Sequence, residues 1–307
     1  MQATLRSSIS FAGVGLHTGH PVRMTVRPAA AHFGIWFQRT DIRDRDNLIP
    51  ARFDLVPDSR LCTKLRNEAG AEVSTVEHLM AALAGCGIHN ALVEMDGPEV
   101  PILDGSAAQF VRGFLSRGIQ HQGAPIHAIE VLKTVTVTEG DAAATISPDA
   151  GLTMSFTIDF ADAAIGRQTR VANLANGRFV RELCDSRTFC RQADVDAMQA
   201  NGLALGGIPG ENAVVFDGDE VTSPGGLRHA DEAVRHKMLD ALGDLALAGA
   251  PLLGRYEGVR AGHMLTNRLL RVLFSTPGAT RLVECSPAQA ARLPGVGVNP
   301  TDLAYVA

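Results

Sequence analysis

A histidine and two aspartates recur at every fourth position of the segment VRHKMLDALGD, residues 234–244. Read as a helix, this spacing places His236, Asp240 and Asp244 close to one stripe of the surface. An imidazole nitrogen and a carboxylate oxygen four residues apart can bind one metal ion, and zinc accepts both ligand types. Asp244 could then orient a further group behind the metal ligands. The alternatives are a surface ion pair between His236 and Asp240 and a solvated Asp244.

Glu77 and His78 are a second pair of residues that could carry chemistry. His78 could supply a third zinc ligand, with Glu77 as a base beside the metal. The competing interpretation treats STVE, which ends at Glu77, as a capping box at a helix start and His78 as a core histidine. The HExxH pattern of the common zinc-protease helix is absent from the sequence.

His263, in the segment AGH, is a candidate general acid. We predict that it lies in a loop before a helix, where an acidic neighbour such as Asp244 would raise its pKa. The alternative is a loop histidine that is simply exposed. Thr188 and Phe189 open a long segment with apolar and glycine-rich portions, and their purely structural interpretation is an N-cap-like threonine followed by a core phenylalanine.

The elements that must position these residues occur twice in the same order. After His78 the pattern predicts a helix in HLMAALAGCGI, a strand in NALVEMDG, a loop in PEVPI and a helix in DGSAAQFVRGFLSRG. After His236 the helix is predicted to run to Gly249. A strand in PLLGRYEGV, a loop in RAGH and a helix in MLTNRLLRVLF follow. This repeat indicates an internal duplication.

Strand-like segments precede each pair of helices: PVRMTVRPA and GIWFQRTD, then AIEVLKTVTVTE, AATISP and LTMSFTIDF. We therefore predict an α+β fold with two domains, residues 1–124 and 125–307, each a small sheet layered with two helices. The helices would pack at a central seam and bring His78 and His236 together. Residues 187–215 have no counterpart in the first half. An insertion of this kind favours a functional role.

Composition excludes several classes of protein. The chain has 307 residues, a net charge of -5 and no basic stripe, so we expect no nucleic-acid partner. Its five cysteines form no CxxC pair, which is typical of reduced thiols in a cytoplasmic protein. The start MQATLRSSIS lacks the apolar core of a signal peptide, and no run approaches 18 apolar residues. Contact with a membrane surface stays open.

Two glycine-rich segments do not match nucleotide-binding loops. GVGLHTG has three residues between its second and third glycines, unlike GxGxxG, and LGGIPGEN lacks the Lys-Ser/Thr of a phosphate loop. Neither segment favours a nucleotide-cofactor enzyme.

Long motifs through nearly the whole chain resemble one family, the UDP-3-O-acyl-N-acetylglucosamine deacetylases, which are zinc amidases of lipid A synthesis in Gram-negative bacteria. The matching segments occur in the family's order: GVGLHTG, LCTKL, STVEHLMAALAGCGIHN, GPEVPILDGSAAQFV, SRTF, GLALGG, VRHKMLDALGDLALAG and GHMLTN. The family's fold is similar to the one predicted above, with the active site between the two halves.

The resemblance implies a role for each candidate residue. It implies that His78, His236 and Asp240 bind zinc, although iron(II) accepts the same ligand types. Glu77 would be the general base, His263 the acid or electrostatic partner held by Asp244, and Thr188 the oxyanion donor. Lys237 and Phe189 would contact the diphosphate or the sugar, and Leu61 and Cys62 would line the site. The implied reaction uses a metal-bound water to release acetate from UDP-3-O-(3-hydroxyacyl)-N-acetylglucosamine.

The sequence departs from the family in the insertion. Cys190, Arg191 and Gln192 follow SRTF, where the family commonly has a glycine and apolar residues lining a passage for the acyl chain. Ile208 and Pro209 follow Gly207, where the family often has serine. These changes bear on acyl-chain length. They favour one rival, a zinc amidase or esterase on a related acylated sugar.

A second rival is a metal-free binding protein on the same fold. The chain contains every residue implied as a metal ligand, base or acid, which argues against this rival. These residues are Glu77, His78, His236, Asp240 and His263. We expect a monomeric cytoplasmic enzyme whose partner is a small amphiphilic UDP-sugar, with transient contact to the inner membrane left open.

Overall fold

The computed structural model describes residues 1–57 and 61–305, the last three by their backbone alone, so residues 306–307 of the predicted second domain lie outside it. The first half contains nine strands and two helices among the described residues. In chain order they are β1 (Ala3–Leu5), β2 (Ile9–Val14), β3 (Pro21–Pro28), β4 (Ile35–Arg39), β5 (Leu48–Pro50), β6 (Leu65–Arg66), β7 (Glu72–Val73), α1 (Glu77–Gly85), β8 (Ala91–Met95), α2 (Ala108–Arg117) and β9 (Ile119–His121).

The second half contains ten strands and five helices within the described range. They are β10 (His127–Val131), β11 (Val135–Glu139), β12 (Ala142–Ser147), β13 (Leu152–Asp159), β14 (Arg167–Asn173), α3 (Arg178–Glu182), β15 (Phe189–Arg191), α4 (Gln192–Ala200), β16 (Val214–Asp217), β17 (Glu220–Val221), α5 (Glu232–Ala246), β18 (Leu252–Val259), α6 (His263–Ser275), β19 (Thr280–Glu284) and α7 (Pro287–Ala290). The described residues also include two short 3-10 helices, Phe53–Leu55 and Pro300–Tyr305.

The main sheet of the first half has the order β2-β3-β8-β4-β5. Its strands alternate in burial as the pleat requires: Val22, Met24 and Val26 of β3 are buried and the residues between them are not. The sheet is antiparallel except where β4 runs parallel to β8. β1 stays outside it and pairs antiparallel with β9, so the first and last strands of this half lie side by side.

The main sheet of the second half has seven strands. Five of them follow the order β11-β12-β18-β10-β19, and β13 pairs with both β14 and β18. β18 is the central strand and is almost fully buried along one face, with Leu252, Gly254 and Tyr256 among its buried residues. The predicted single strand AIEVLKTVTVTE is divided, because residues 132–134 separate β10 from β11.

α1 and α5 pack against each other between the two sheets. The contact is close because Gly243 of α5 lies against the backbone of Glu77, where an added Cβ atom would come within 2.0 Å of the carbonyl oxygen. Both helices are rich in alanine and leucine, which favour helix and bury well. The predicted α+β class with helices at a central seam is confirmed. α5 ends at Ala246, three residues before the predicted end.

The boundary between residues 124 and 125 remains a prediction. One main sheet draws only on strands before it and the other only on strands after it. Within the insertion predicted at 187–215, β15 pairs parallel with β16, and α4 lies between them in sequence. In the described part of the chain, none of the helices has the length and apolarity that crossing a bilayer requires.

Candidate metal centre and active site

His78, His236 and Asp240 converge where α1 meets α5. Their candidate ligand atoms all lie within 4.8 Å of one another, and all three residues are buried. The Nε2 atoms of His78 and His236 lie 3.4 Å and 3.2 Å from Oδ1 of Asp240. Among the described residues, that oxygen is buried without a hydrogen-bond partner.

The separations of 3.4 and 3.2 Å between each imidazole nitrogen and the Asp240 oxygen fit a tetrahedral ion. Zinc bonds of about 2.0–2.2 Å place neighbouring ligand atoms about 3.4 Å apart. A buried carboxylate oxygen with no donor is costly unless it binds a cation. Two imidazoles and one carboxylate also form a donor set that catalytic zinc sites use. The three residues therefore fit a zinc ion.

Their neighbours orient two of these ligands. Nδ1 of His236 lies 3.0 Å from the backbone oxygen of Ser186, so this nitrogen carries the proton and leaves Nε2 free. Burial lowers the pKa of His236 to about 4, which keeps the imidazole neutral, as a metal ligand must be. Nζ of Lys237 donates to Oδ2 of Asp240 at 2.7 Å. Burial opposes the charge on Lys237, but Asp240 outweighs burial and raises the pKa of the lysine.

Glu77 is the first residue of α1 and is buried beside His78. The capping-box interpretation is wrong, because Glu77 accepts from the backbone N–H of Thr63 at 3.0 Å and Ser74 donates to the carbonyl of Pro98. Burial raises the pKa of Glu77, partly opposed by His263 and His78. A buried carboxylate with a raised pKa suits a general base.

His263 is the first residue of α6 rather than a loop residue, and it is not exposed: its side chain retains 10% of its accessible surface. Nδ1 lies 3.0 Å from Oδ2 of Asp244. Burial alone would lower the pKa of His263, but the carboxylates of Asp244 and Glu77 outweigh it and raise the pKa to about 9. Its Nε2 atom faces Oε1 of Glu77 at 3.8 Å. The side chains of His263 and Glu77 therefore lie on either side of one point in the site.

A cavity of about 420 Å³ opens on this point. Lys237, Thr188 and Phe189 line it, as do residues that the insertion contributes, among them Val195, Ala197, Met198, Ala204 and Val215. The ring of Phe189 lies 6.3 Å from that of His236, edge to face. Thr188 starts no helix, because strand β15 follows it directly. The lining is divided about equally between polar residues and apolar ones, and the apolar ones include several from the insertion.

The remaining predicted lining residues differ in exposure. Leu61 lines the cavity and is 47% exposed, whereas Cys62 is buried and is not one of its lining side chains. Arg191 also lines the cavity, but its guanidinium is paired with Asp194 at 2.7 Å and is partly exposed. Its charge is therefore neutralised at the cavity's edge.

Sequence reasoning missed two residues of the site. Thr63 lies within LCTKL, from which only its two predecessors were assigned, and it contacts both Glu77 and Asp244. His17 lines the cavity, and within the described residues neither of its buried ring nitrogens has a hydrogen-bond partner. It belongs to GVGLHTG, which was compared with nucleotide-binding loops and matches a motif of the family, but no role was predicted for this histidine. The sequence signal that could have identified His17 is a histidine within a glycine-rich segment.

Comparison with known proteins identifies close relatives. The family described as UDP-3-O-acyl N-acetylglycosamine deacetylase matches residues 2–275. The chain is 49% identical to a protein of that name from Phenylobacterium zucineum, over 92% of this chain and 96% of the relative. It is 44% identical to the protein of that name from Pasteurella multocida, over 94% and 95% of the two chains. It is also 43% identical to the one from Shewanella violacea, over 92% of each chain.

Proposed function

Since the chain belongs to the UDP-3-O-acyl N-acetylglycosamine deacetylase family, we propose that it removes the N-acetyl group of UDP-3-O-(3-hydroxyacyl)-N-acetylglucosamine. The products are acetate and the free amine. The observation that carries the proposal is the convergence of a zinc-compatible triad, a buried carboxylate and a histidine at one cavity. In this proposal the reaction takes place in the cytoplasm and is the committed step of lipid A biosynthesis.

His78, His236 and Asp240 would hold the metal. Zinc, when bound, polarises the acyl carbonyl and lowers the pKa of water to about 7. Iron(II) would accept the same three ligands. The neutral state of His236 and the orphaned oxygen of Asp240 support this assignment.

Glu77 takes the proton of the attacking water through Oε1, the oxygen that faces the cavity side of His263. His263 is protonated at neutral pH and stabilises the developing negative charge or protonates the leaving amine. The hydroxyl of Thr188 donates to the oxyanion, a contribution typically worth about 10²–10³ in rate. Asp244 holds the imidazole of His263 in place.

The cavity supports an amphiphilic substrate. Lys237 lines it and keeps its positive charge, which suits contact with the diphosphate or sugar. Phe189 offers an aromatic face beside the metal ligands. The apolar side chains of the insertion suit an acyl chain.

Acetate release from the 3-hydroxymyristoyl substrate tests the proposal. We expect activity that a chelator abolishes and added zinc restores. Glu77→Gln should keep its zinc and lose about 10²–10⁴ in turnover, since the base is removed and the ligands are not. Glu72→Gln, a surface carboxylate of β7, is the matched control and should retain activity.

Two results would count against the proposal. A folded, zinc-loaded protein that releases acetate from a related acylated sugar but not from this substrate would favour the rival amidase. Near-normal turnover of Glu77→Gln would remove Glu77 from the mechanism.

A further inference from the structure

We propose that Thr63 is a positioning residue that binds one oxygen of Glu77 and one oxygen of Asp244. It thereby leaves Oε1 of Glu77 to act as the base and Oδ2 of Asp244 to hold His263. This inference rests on the proposed function. Thr63 contacts a residue from each half of the chain, since Glu77 lies on α1 and Asp244 lies on α5.

Thr63 makes three hydrogen bonds at the seam. Its backbone N–H donates to Oε2 of Glu77 at 3.0 Å, and its hydroxyl donates to Oδ1 of Asp244 at 2.5 Å. Its carbonyl accepts from the N–H of Val76 at 3.2 Å. The residue is 3% exposed, so water does not compete for these bonds.

The first bond determines which oxygen of Glu77 is the base. Because Oε2 is engaged by Thr63, Oε1 is the oxygen that faces His263, at 3.8 Å from Nε2. That distance is too long for a direct hydrogen bond, so neither atom is occupied by a hydrogen bond to the other. Both can act on a single reacting group.

The second bond determines the direction of the His263 ring. Asp244 uses Oδ1 for Thr63 and Oδ2 for Nδ1 of His263, which leaves Nε2 pointing toward Glu77. Asp244 is 3% exposed, so an oxygen that lost its donor would stay unsatisfied. The carboxylate would then turn, and the imidazole would turn with it.

The metal ligands do not depend on this residue directly. Within the described part of the chain, no hydrogen bond of Thr63 reaches His78, His236 or Asp240. A change at Thr63 should therefore alter turnover and leave zinc binding intact, which separates positioning from general damage.

The test compares Thr63→Val with Thr63→Ser in the zinc-loaded enzyme. Valine keeps the shape and the backbone N–H but removes the hydroxyl, whereas serine keeps the hydroxyl. We expect kcat to fall about 10–100-fold in Thr63→Val, the usual effect of losing a partner behind a reacting group, with KM and zinc content unchanged. Thr63→Ser should stay within about threefold of the wild type. Thr4→Val, a buried threonine that donates to the carbonyl of Asn90, is the matched control for loss of stability alone.

A double variant and a spectrum complete the test. If the hydroxyl acts through Asp244, Thr63→Val should cost little more kcat when Asp244→Asn is already present. The NMR signal of the His263 Nδ1 proton should exchange with water at least about tenfold faster in Thr63→Val than in the wild type or Thr63→Ser.

Three results would overturn the inference. The first is a wild-type kcat and wild-type exchange of the His263 proton in Thr63→Val. The others are a kcat of Thr63→Ser as low as that of Thr63→Val, or a fall in kcat for Thr63→Val no larger than that for Thr4→Val. Failure of the proposed function would appear differently, as no acetate release by the wild type. The His263 proton signal would still report the positioning in that case.

Discussion

Arg187 and Glu232 form an ion pair whose side chains retain only 6% and 1% of their accessible surface. Glu232 accepts from Nε and the backbone N–H of Arg187 at 2.9 and 3.0 Å, and from the backbone N–H of Arg228 at 2.7 Å. It lies in the first turn of α5, where the helix dipole also favours a negative charge. The pair joins the segment that carries Thr188 to the helix that carries His236.

This pair predicts how stability depends on pH. Burial would raise the pKa of Glu232, but the hydrogen bonds and charge of Arg187 outweigh it and hold the pKa below the ordinary 4.5. A carboxyl group with a lower pKa in the folded state stabilises the fold above about pH 4.5, and this contribution is lost as the pH falls below it. Glu232→Gln should cost about 3 kcal/mol at pH 7, because it leaves the buried guanidinium unpaired.

Denaturant unfolding at pH 7, 5 and 4 measures both effects. The difference in unfolding free energy between wild type and Glu232→Gln should shrink on acidification. Glu130→Gln, which breaks the exposed pair with Arg281, should change the free energy by less than about 1 kcal/mol at any of these pH values. A pH-independent difference for Glu232→Gln would contradict the assignment.

At this scale the spacing predicted that His236 and Asp240 share a face, because residues four apart on a helix do so whatever surrounds them. His78 as the third ligand was implied by the family resemblance, since it lies on a different helix. Asp244 as the partner of His263 was also predicted, and the two lie 3.0 Å apart. Thr63 was missed, because its role depends on a loop closing against α5 from 181 positions away in sequence. Local spacing carries no signal of such a contact.

At the scale of elements, the approach of α1 to α5 depends on Gly243. Its missing side chain admits the carbonyl of Glu77, so the glycine sets the distance between the helix with His78 and the helix with His236. A helix interior ordinarily disfavours glycine by about 1 kcal/mol relative to alanine. Here the close packing overrides that preference.

Gly243→Ala should therefore destabilise the protein by about 1–3 kcal/mol despite the better helix propensity, since the new methyl group meets rigid backbone. It should also weaken zinc binding about tenfold or more, because the two imidazoles move apart. Thermal unfolding and competition with a zinc-binding dye measure the two effects.

Gly113→Ala on α2 is the matched control. The atoms nearest to its added Cβ would belong to the side chains of Phe11 and Ile9, and neither residue lines the cavity. It should lower stability without changing zinc affinity. Equal zinc affinity in Gly243→Ala and the wild type would show that the helix distance does not tune the centre.

The long helices and the alternating strands were predicted, because their periodicity is a local property. α1, α2, α5 and α6 occur where the pattern placed them. In the described part of the chain, the strands that were not predicted are β1, β2, β5, β6, β7, β9, β14, β15, β16, β17 and β19. Most of them have two to five residues, which is too few for a periodic pattern, although β2 and β14 are longer.

At the scale of the whole molecule, the proposed ligands come from both halves of the chain. His78 belongs to the first half, and His236 and Asp240 belong to the second. A bound ion would therefore stabilise the contact between the halves as well as the site. The α+β class and the seam could be predicted from the repeated order of elements, whereas the seven-stranded sheet could not, since its pairing joins β10, β13 and β18 across long sequence separations.

Zinc should raise the unfolding temperature of the entire chain in one transition. At a free zinc concentration about 100 times its dissociation constant, the stabilisation is about 2.7 kcal/mol. A chelator should lower the unfolding temperature of the wild type, as calorimetry would measure. Asp240→Asn, which weakens the ligand set, should respond little to either treatment. Equal chelator effects on both proteins would place the metal elsewhere.

The pairing of β1 with β9 has a consequence for how this chain could be divided. The first half begins and ends at the same place, so a cut between β9 and β10 severs one connection and leaves every strand of both main sheets with its partners. The two fragments would share the chemistry between them, one carrying Glu77 and His78, the other His236, Asp240 and His263. If the proposed function is correct, neither fragment could turn over substrate alone. Catalysis would then serve as a reporter of their reassociation, which makes this fold a natural candidate for a split enzyme.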